Sequence, residues 1–281
     1  MAKGGGDMYR IGDYSRFMGV SPDLLKHYER CGLIKPKTAE NGYRYYRFFQ
    51  STRLLDCMRL RNYGFSLNEM QTLLNDLPYE GVKDRLDAQI DKMEAELLFR
   101  QRVIAEHRRI SEWMEMMRGH EFRLESAEAE AVYFLPQSRE NQFIQDERIA
   151  QLLERWVAAM PVVKSCRLFE DVLSEDAVRQ GMWGLAARES DVRALGLPVN
   201  DAVIRVEGGS SHLLHIHYLQ HHGQKAAPYL PAVQKTLRGG GVQEGTPALQ
   251  FMLMSLACGE ASHESCGCFL VSKGGAPCKQ R

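Results

Sequence analysis

Cationic and aromatic side chains are concentrated between residues 20 and 49, in the stretches PDLLKHYER and NGYRYY. Lysine and arginine neutralise phosphate groups, and tyrosine hydroxyls donate hydrogen bonds to them. Residues 8–74 contain eleven Lys and Arg against six Asp and Glu, a net charge of +5 on a chain whose 281 residues sum to zero. This uneven charge predicts a nucleic-acid-binding region and a separate second function in the rest of the chain.

Two short helices joined by a tight turn are predicted to position these groups. Residues 11–18, IGDYSRFM, have apolar side chains at helical spacing, and Gly19 ends this helix. Ser21 as N-cap and Pro22 at the first helical position begin a second helix, which Gly32 ends. Such a helix-turn-helix can place its second helix in the major groove of DNA.

A hairpin is predicted next, because Asn41 and Gly42 separate two extended segments. This hairpin would form a wing beside the helix-turn-helix. Residues 48–63 predict a third helix, and Ser66 begins a capping box for a fourth. Together these elements predict a winged helix-turn-helix DNA-binding domain over residues 8–76.

The second helix and the wing carry the predicted DNA contacts. Arg44 and the neighbouring tyrosines are expected to contact the DNA backbone. The alternative is that Tyr28 and Tyr45 are half-buried packing residues and that the charged side chains are simply solvated. The predicted set is Ser21, Pro22, Lys26, His27, Tyr28, Arg30, Arg44, Tyr45 and Tyr46.

Residues 82–117 predict one long helix, within a dimerisation segment at 79–118. Its apolar residues follow the 4-3-4 spacing of a coiled coil: Leu86, Ile90, Met93, Leu97 and Ile104. Arg100 and His107 interrupt the pattern. A solitary helix of this length has nothing to bury its apolar stripe against, so pairing with a second copy is expected.

Strand-like runs begin near residue 127, and two helical stretches separate them. The order strand–helix–strand–strand occurs twice, over residues 131–187 and 212–271. This internal duplication predicts a second domain over residues 127–274. The fold class expected for the chain is α+β.

Three motifs resemble the MerR-type transcription regulators: YRIGDYSRFMGVSPDLLKHYERCGLI, NGYRYY and LRNYGFSLNEMQTLL. The resemblance covers about residues 8–118. It implies a homodimer held by an antiparallel coiled coil on double-stranded promoter DNA, at a palindrome with an overlong spacer between RNA polymerase elements. It also implies activation by bending and untwisting that spacer for RNA polymerase. By position, Tyr28, Arg44 and Tyr45 would contact the DNA backbone, while Lys26 and His27 would face the groove.

The duplicated region resembles the GyrI-like effector-binding domain of multidrug-sensing relatives, through GMWGLAAR and HIHYLQHHGQKAAPYLPAVQKTL. Metal sensors of the family have a cysteine at the start of the dimer helix and a cysteine-bearing loop after it. LPYEGVKDRL and RGHEFRLESAEAE contain no cysteine, so a metal sensor is disfavoured. The resemblance implies a cleft between the two halves of the duplication.

Aromatic residues are expected to line that cleft, because aromatic faces stack on flat molecules and attract cations. The predicted effector is therefore a small aromatic or cationic molecule. Its predicted site comprises Glu189 and the aromatic residues Tyr133, Phe169, Trp183, Tyr218, Tyr229 and Phe251, with Trp183 foremost. Glu170 and Glu207 are alternatives to Glu189 as the acid that selects a cation. For each aromatic residue, the alternative is an ordinary core position.

Histidines and cysteines leave a metal or thiol sensor open as an alternative. His215 and His217, within the cluster from His212 to His222, would share one face of a strand. The spacing of the cluster fits no single metal motif. The second candidate is the set Cys258, His263, Cys266, Cys268 and Cys278. No resident metal is predicted.

Other sequence features exclude several classes of protein. No run approaches the roughly 18 apolar residues of a membrane helix, and no apolar signal segment follows the start, so a cytoplasmic protein is expected. Seven cysteines, of which only the last four lie close together, do not form a disulfide framework. Nucleophile-elbow, phosphate-loop and HExxH motifs do not occur, so no enzyme and no cofactor are predicted. A small-molecule hydrolase with an acidic general base in the cleft is the alternative.

Overall fold

The computed structural model describes residues 8–39, 42–140, 142–174, 176, 181–221, 229–257 and 262–272. The chain divides between Glu94 and Ala95 into two compact units, called here the first and second units. Within the described residues, no helix is both long enough and apolar enough to cross a membrane. Helices and antiparallel strands make up both units, which confirms the predicted α+β class.

The first unit contains the predicted helices and wing. Its elements are β1 (Met8–Arg10), α1 (Ile11–Met18), α2 (Pro22–Arg30), β2 (Lys37–Thr38), β3 (Arg44–Arg47), α3 (Gln50–Asn62) and α4 (Leu67–Asn75). Ser21 begins α2 as predicted, because its side chain accepts a hydrogen bond from the backbone N–H of Leu24 at 3.1 Å. Ser66 and Glu69 form the predicted capping box of α4.

The predicted wing is the antiparallel pair of β2 and β3, in which Lys37 lies opposite Tyr45 and Thr38 lies opposite Arg44. β1 pairs with the other edge of β3 and was not predicted from the sequence. Gly42 has a φ of 76°, a conformation that favours glycine. Asn41, the other residue of the predicted turn, lies outside the described residues.

The core of the first unit joins α2 to the wing. Tyr14 stacks on Tyr46, with ring centroids 4.9 Å apart, and the inward-facing residues Leu25 and Tyr28 of α2 belong to the same buried cluster. Because α2 and β3 share this core, their exposed faces have a fixed relative position.

The predicted long helix is α5 (Tyr79–Met116), which begins before the predicted start at Val82. Its apolar stripe is exposed along much of its length. Leu86 packs against the core of the first unit, whereas Ile90, Met93, Leu97 and Ile104 are each about half exposed. We call these four exposed residues the seam.

The second unit begins in α5 and continues through an antiparallel sheet. The strands are β4 (Phe122–Ala129), β5 (Val132–Arg139), β6 (Gln142–Phe143), β7 (Lys164–Phe169), β8 (Met182–Arg188), β9 (Ile204–Val206), β10 (Gly209–His221), β11 (Ala248–Ala257) and β12 (Ser262–Ser272). The helices are α6 (Glu147–Ala158), α7 (Glu189–Ala194) and α8 (Leu230–Gly239). β4 was not predicted, and it extends the unit ahead of the expected boundary at residue 127.

The predicted duplication is visible in the element order, β5-α6-β7-β8 followed by β10-α8-β11-β12. The two halves also pair alike, because the strand order is β5-β8-β7 in one half and β10-β12-β11 in the other. β7 and β11 pair with each other and join the halves into one sheet, in which Phe251 lies opposite Cys166.

The two faces of this sheet are covered differently. On one face, Trp156 of α6 is buried with Leu185, and Leu237 of α8 is buried with Phe269. On the opposite face, α5 contacts the strands through Trp113, whose Nε1 donates to Nδ1 of His215 at 3.1 Å. We call these the α6/α8 face and the α5 face. Side chains alternate between them along each strand.

Buried carboxylates attach α5 to the sheet. Glu106 is 1% exposed and pairs with Arg188 of β8 and with Nζ of Lys164 of β7, the latter at 2.6 Å. Asp191 of α7 is fully buried and lies 2.8 Å from Arg188 Nε and 3.0 Å from Arg102 Nη1. Two carboxylates and several cations thus neutralise one another where α5 meets β7 and β8.

Glu106 remains ionised in this setting. Burial raises the pKa of its carboxyl, but the charge and hydrogen bond of Lys164 and the charges of Arg188 and Arg109 lower it, and the net pKa lies below its ordinary value. A depressed pKa in the folded state stabilises the fold above the unfolded-state pKa. That contribution is lost as the pH falls through the folded-state pKa.

Replacing Glu106 by Gln is expected to lower the free energy of unfolding by about 3 kcal/mol at pH 7, because the surrounding cations lose their counter-charge. The difference from the unaltered protein should shrink as the pH is lowered from 7 through the depressed folded-state pKa of Glu106. Urea unfolding at fixed protein concentration, followed across this pH range, measures both effects.

Glu115→Gln on the same helix is the matched control. Its partner Arg118 and Glu115 itself have side chains 78% and 70% exposed, so the expected change is below about 1 kcal/mol. Equal destabilisation by the two substitutions would contradict a structural role for the Glu106 charge.

Candidate nucleic-acid interface and ligand cleft

The outward face of α2 presents Lys26 and Arg30. Lys26 Nζ lies 3.2 Å from the Asp23 carboxylate, and Arg30 Nε donates to the Lys26 carbonyl at 3.4 Å. Both cations are exposed, and Ser21 and Pro22 at the start of the helix are exposed as well. His27 is partly exposed. The predicted groove-facing residues therefore lie on the accessible side of α2.

Arg44 connects the wing to α2. Its Nε lies 2.9 Å from Oε1 of Glu29, and its side chain remains 49% exposed. A guanidinium that pairs with a carboxylate through one edge still has other N–H groups that can donate hydrogen bonds to a phosphate oxygen. Tyr45, the next residue of β3, is partly exposed. The arrangement places a positioned cation beside the exposed face of α2.

Tyr28 and Tyr46 are not at this surface, which corrects the sequence-based interpretation of both residues. They are 1% and 0% exposed and belong to the core of the first unit. Burial, with a smaller contribution from Glu29, raises the pKa of Tyr46 to about 12. Side chains enclosed in this way do not reach a phosphate, because they fill the space between α1, α2 and β3.

Other rings at the surface were missed as candidates. Phe48 and Phe49 are 68% and 61% exposed, and the Arg47 guanidinium lies 5.6 Å from the Phe49 ring. Arg10 lies in the same way over the ring of Tyr43, at 4.9 Å. In the sequence, the arginine at position 47 and the aromatic residue at position 49 could have indicated this surface contact.

A row of side chains crosses the centre of the α6/α8 face in the second unit. In the strand register, Ser138 lies opposite Trp183, Trp183 opposite Arg167, and Arg167 opposite Gln250. Directly opposed residues of neighbouring antiparallel strands point to the same face. The row therefore brings together residues from β5, β8, β7 and β11, in both halves of the duplication.

A cavity of about 340 Å³ lies over part of this row, lined by Ser138, Phe143, Arg167, Gly181 and Trp183. We call it the cleft. Trp183 Nε1 donates to Ser165 Oγ at 2.9 Å, which fixes the indole orientation. A Cβ at Gly181 would lie 2.8 Å from Cδ1 of Phe169, so the glycine permits this close approach. A volume of this size accommodates a small ligand.

The structure places Trp183 in the cleft and Phe169 beneath it. Phe169 is buried, and its ring centroid lies 6.2 Å from that of Phe269. Tyr218 and Tyr229 contact each other at 5.5 Å on the α8 side, and Gln250 donates to the Tyr229 hydroxyl at 2.7 Å. These two tyrosines are thus connected to the row through Gln250, although they do not line the cleft.

Phe251 and Tyr133 lie elsewhere, which corrects their assignment to the cleft. Phe251 packs on the α5 face against the cluster that contains Cys166 and Phe134, because its position in β11 has the opposite parity to Gln250. Tyr133 packs against the α6 cluster, and its hydroxyl donates to Glu189 Oε1 at 3.5 Å.

None of the three candidate acids lines the cleft. Glu189 pairs with Arg193 at 3.1 Å and with Arg205 at 3.5 Å. The side chains of Glu170 and Glu207 are 76% and 68% exposed. The described lining residues thus include no carboxylate that could bind a cation or act as the general base of a hydrolase.

The thiols of Cys166 and Cys268 are poorly suited to sensing. Burial raises the pKa of the Cys268 thiol to about 11 and raises that of Cys166 well above its ordinary value, so neither forms the reactive thiolate at neutral pH. His215 uses both ring nitrogens, one for Trp113 and the other for Glu125 at 3.0 Å.

Among the described residues, no group of three or more His, Cys, Asp or Glu side chains is arranged to hold a metal ion. His222, Cys258 and Cys278 lie outside the described residues, and the side chains of His221 and His263 are not described.

A model of the family described as MerR HTH family regulatory protein matches residues 9–77. Residues 9–77 are therefore similar to the helix-turn-helix domain of that family. The match covers the helix-turn-helix, the wing, α3 and α4, and it ends just before α5. The family model describes the helix-turn-helix of a regulatory protein. The second unit lies outside this match, so its GyrI-like character stays a prediction.

Part of this chain is also similar to curated proteins that are named as regulators. The mercuric resistance operon regulatory protein of Bacillus cereus is 38% identical over 86 residues, which are 30% of this chain and 61% of that protein. HmrR, a transcriptional regulator of Rhizobium leguminosarum, is 38% identical over 80 residues, 28% of this chain and 60% of that protein. The chain spans about three fifths of the length of these relatives.

Two solved structures are weakly similar to this chain. EcmrR, from its complex with DNA, matches at 15% identity and a TM-score of 0.37, over 95% of this chain and 100% of EcmrR. The N-terminal part of MtaN, the multidrug transporter activator of Bacillus subtilis, matches at 27% identity and a TM-score of 0.32, over 37% of this chain and 95% of its own. Scores this low do not establish a shared fold.

The position of Tyr28 within the MerR-type domain leads to a prediction. Its hydroxyl is buried and has no hydrogen-bond partner among the described residues. Tyr28→Phe removes an unsatisfied polar atom, so the free energy of unfolding should be unchanged or higher by up to about 1 kcal/mol. Affinity for promoter DNA should also be unchanged, as measured by fluorescence anisotropy. A loss of affinity at unaltered stability would show that Tyr28 does contact DNA.

Proposed function

We propose that this protein is a homodimeric transcription regulator that binds double-stranded promoter DNA and responds to a small molecule. The observation that carries the proposal is the exposed cationic face of α2 beside the positioned Arg44, within a domain similar to the helix-turn-helix of the MerR family. Lys26 and His27 would face the major groove, with Arg30 at the end of the same helix. Arg44 and Tyr45 would contact the DNA backbone.

The proposed DNA site is palindromic, because a symmetric dimer presents two copies of α2 to two half-sites. We further propose that binding bends and untwists an overlong spacer, so that RNA polymerase can read both promoter elements. Such a distortion costs energy, which contacts to the DNA backbone offset. Arg44 is well suited to this role because its ion pair with Glu29 fixes its position before DNA binds.

The proposed dimer contact is the seam of α5. Ile90, Met93, Leu97 and Ile104 follow one another at intervals of three, four and seven residues and are 46% to 59% exposed. Apolar residues in this repeat pack well against a second helix. On the same helix, Glu106 and Trp113 contact the sheet and Arg102 contacts Asp191 of α7. The seam is therefore not occupied by the contacts that hold the second unit together.

The proposed sensor is the cleft. Its described lining residues all come from the first half of the duplication, which corrects the expectation of a cleft between the two halves. β7 and β8 carry both the cleft residues Arg167 and Trp183 and the residues Lys164 and Arg188 that pair with Glu106 of α5. A ligand that moved these strands would therefore change the charges facing α5. This provides a route from the ligand to the dimer helix, with α5 as the responding element.

Arg44→Ala is expected to weaken promoter binding roughly tenfold at about 0.1 M salt. The slope of log affinity against log salt concentration should fall by about one for each phosphate group that is no longer neutralised, so by about two for a dimer. Anisotropy titrations over a salt series measure both quantities. Arg118→Ala, which also removes an exposed cation but lies outside the first unit, should change neither. Unchanged affinity at every salt concentration would remove Arg44 from the interface.

Leu97→Glu is expected to shift the protein from dimer to monomer at micromolar concentration, because it places two like charges in the seam. Ala95→Glu introduces the same side chain two residues away, at an exposed position outside the seam, and should leave the dimer intact. Sedimentation velocity distinguishes the two states. A dimer that survives Leu97→Glu, or an equal effect of both substitutions, would contradict pairing through the seam.

A further inference from the structure

We infer that the cleft binds an anionic aromatic molecule and that Arg167 receives its negative charge. The inference rests on the proposed function, in which the cleft is the sensor site, and it names the chemical class of the ligand. The sequence-based expectation was a small aromatic or cationic effector; the inference keeps the aromatic ring and replaces the positive charge by a negative one.

The first argument is the charge of the cleft. Arg167 is the charged residue among the described lining residues, which otherwise comprise Ser138, Phe143, Gly181 and Trp183. A cationic ligand would meet a like charge here. A cation taken out of water without a counter-charge is strongly disfavoured.

The second argument is that Arg167 lacks an acidic partner. No ion pair joins it to a carboxylate within the described part of the chain. Glu170 lies near Arg139 instead, at 3.9 Å, and its side chain points largely into solvent. Arg205 pairs with both Glu189 and Glu207. Each candidate acid is thus directed to another arginine.

The third argument is the geometry around the guanidinium. Trp183 lies opposite Arg167 on one neighbouring strand, and Gln250 lies opposite it on the other. The Arg167 guanidinium lies 5.4 Å from the Phe169 ring, a cation–π contact that limits its orientations. A planar guanidinium held in this way presents paired N–H groups that match a carboxylate.

The fourth argument is the aromatic lining. The hydrogen bond to Ser165 fixes the Trp183 indole, and Phe143 is 73% exposed where it lines the same cavity. Flat rings stack favourably on such surfaces. With the Ser138 hydroxyl also in the lining, the cleft fits a planar molecule of one or two rings that carries a carboxylate. A volume of about 340 Å³ is of the right order for such a molecule.

The test compares three probes of the same shape: 2-naphthoate, the neutral 2-naphthamide and the cationic 2-naphthylmethylammonium. Calorimetric titration of the full-length protein should show that affinity decreases from naphthoate to naphthamide to naphthylmethylammonium. Naphthoate should bind at least tenfold more tightly than the cation. Tighter binding of the cation, or no naphthoate binding up to millimolar concentration, would overturn the inference.

Variants assign the charge to Arg167. Arg167→Met should weaken the binding of naphthoate at least tenfold and change the affinity for naphthamide less than threefold. Arg167→Lys should still bind naphthoate more tightly than the cation. Arg139→Met, outside the described lining, is the matched control and should bind all three probes as the unaltered protein does. Unchanged naphthoate affinity in Arg167→Met would overturn the inference. If the Arg167→Met protein does not fold, the inference would instead be overturned by an Arg167→Lys protein that no longer prefers the anion.

Promoter binding measured on the same samples separates this inference from the proposed function. If naphthoate binds through Arg167 but the protein binds no promoter DNA, the ligand site stands and the regulatory proposal fails. If promoter DNA binds while the cation is preferred over naphthoate, the regulatory proposal stands and the inference about the ligand fails.

Discussion

The ion pairs of Glu106 are the interaction on which the second unit depends. A carboxylate that is 1% exposed is stable there only because Lys164 and Arg188 lie against it. Those two cations come from adjacent strands, so the same carboxylate fixes both the position of α5 and the junction of β7 with β8. Asp191 extends the network to α7 and Arg102.

This constraint gives β7 and β8 two tasks at once. Lys164, Cys166 and Leu168 of β7 lie on the α5 face, while Ser165 and Arg167 lie on the α6/α8 face. One short strand therefore carries the proposed ligand contact on one side and the helix contact on the other. A rigid strand transmits displacement between its faces without any chain of intermediate side chains, which is the simplest form of coupling between the proposed sensor and the proposed dimer helix.

Local features of the fold were predictable from sequence. The start of α2 at Ser21 and Pro22, the capping box at Ser66 and the duplicated order of strands and helices all depend on neighbours in the chain. β4 was missed because FRLESAEA is polar on one side and pairs with a single strand, so its apolar signal is weak. The burial of Tyr28 and Tyr46 follows from packing between α1, α2 and β3, which no local pattern specifies.

The candidate sites divide in the same way. Lys26, Arg30 and Arg44 were predicted as DNA contacts from charge and position, whereas Arg167 is one of 36 Lys and Arg residues and has no distinguishing neighbours in sequence. Trp183 and Gln250 flank it only through strand register. The same register separates Phe251 from the cleft, since one position along a strand changes the face.

The alternation along β7 also limits how this sequence can change in length. Inserting or deleting one residue between Lys164 and Arg167 would place both side chains on the same face, so that either Arg167 would leave the cleft or Lys164 would leave Glu106. Insertions in the connection between β7 and β8 carry no such penalty, because they leave both registers intact. In proteins that share this second unit, the spacing from Lys164 to Arg167 should therefore be invariant in alignments, while the connection to β8 varies freely in length.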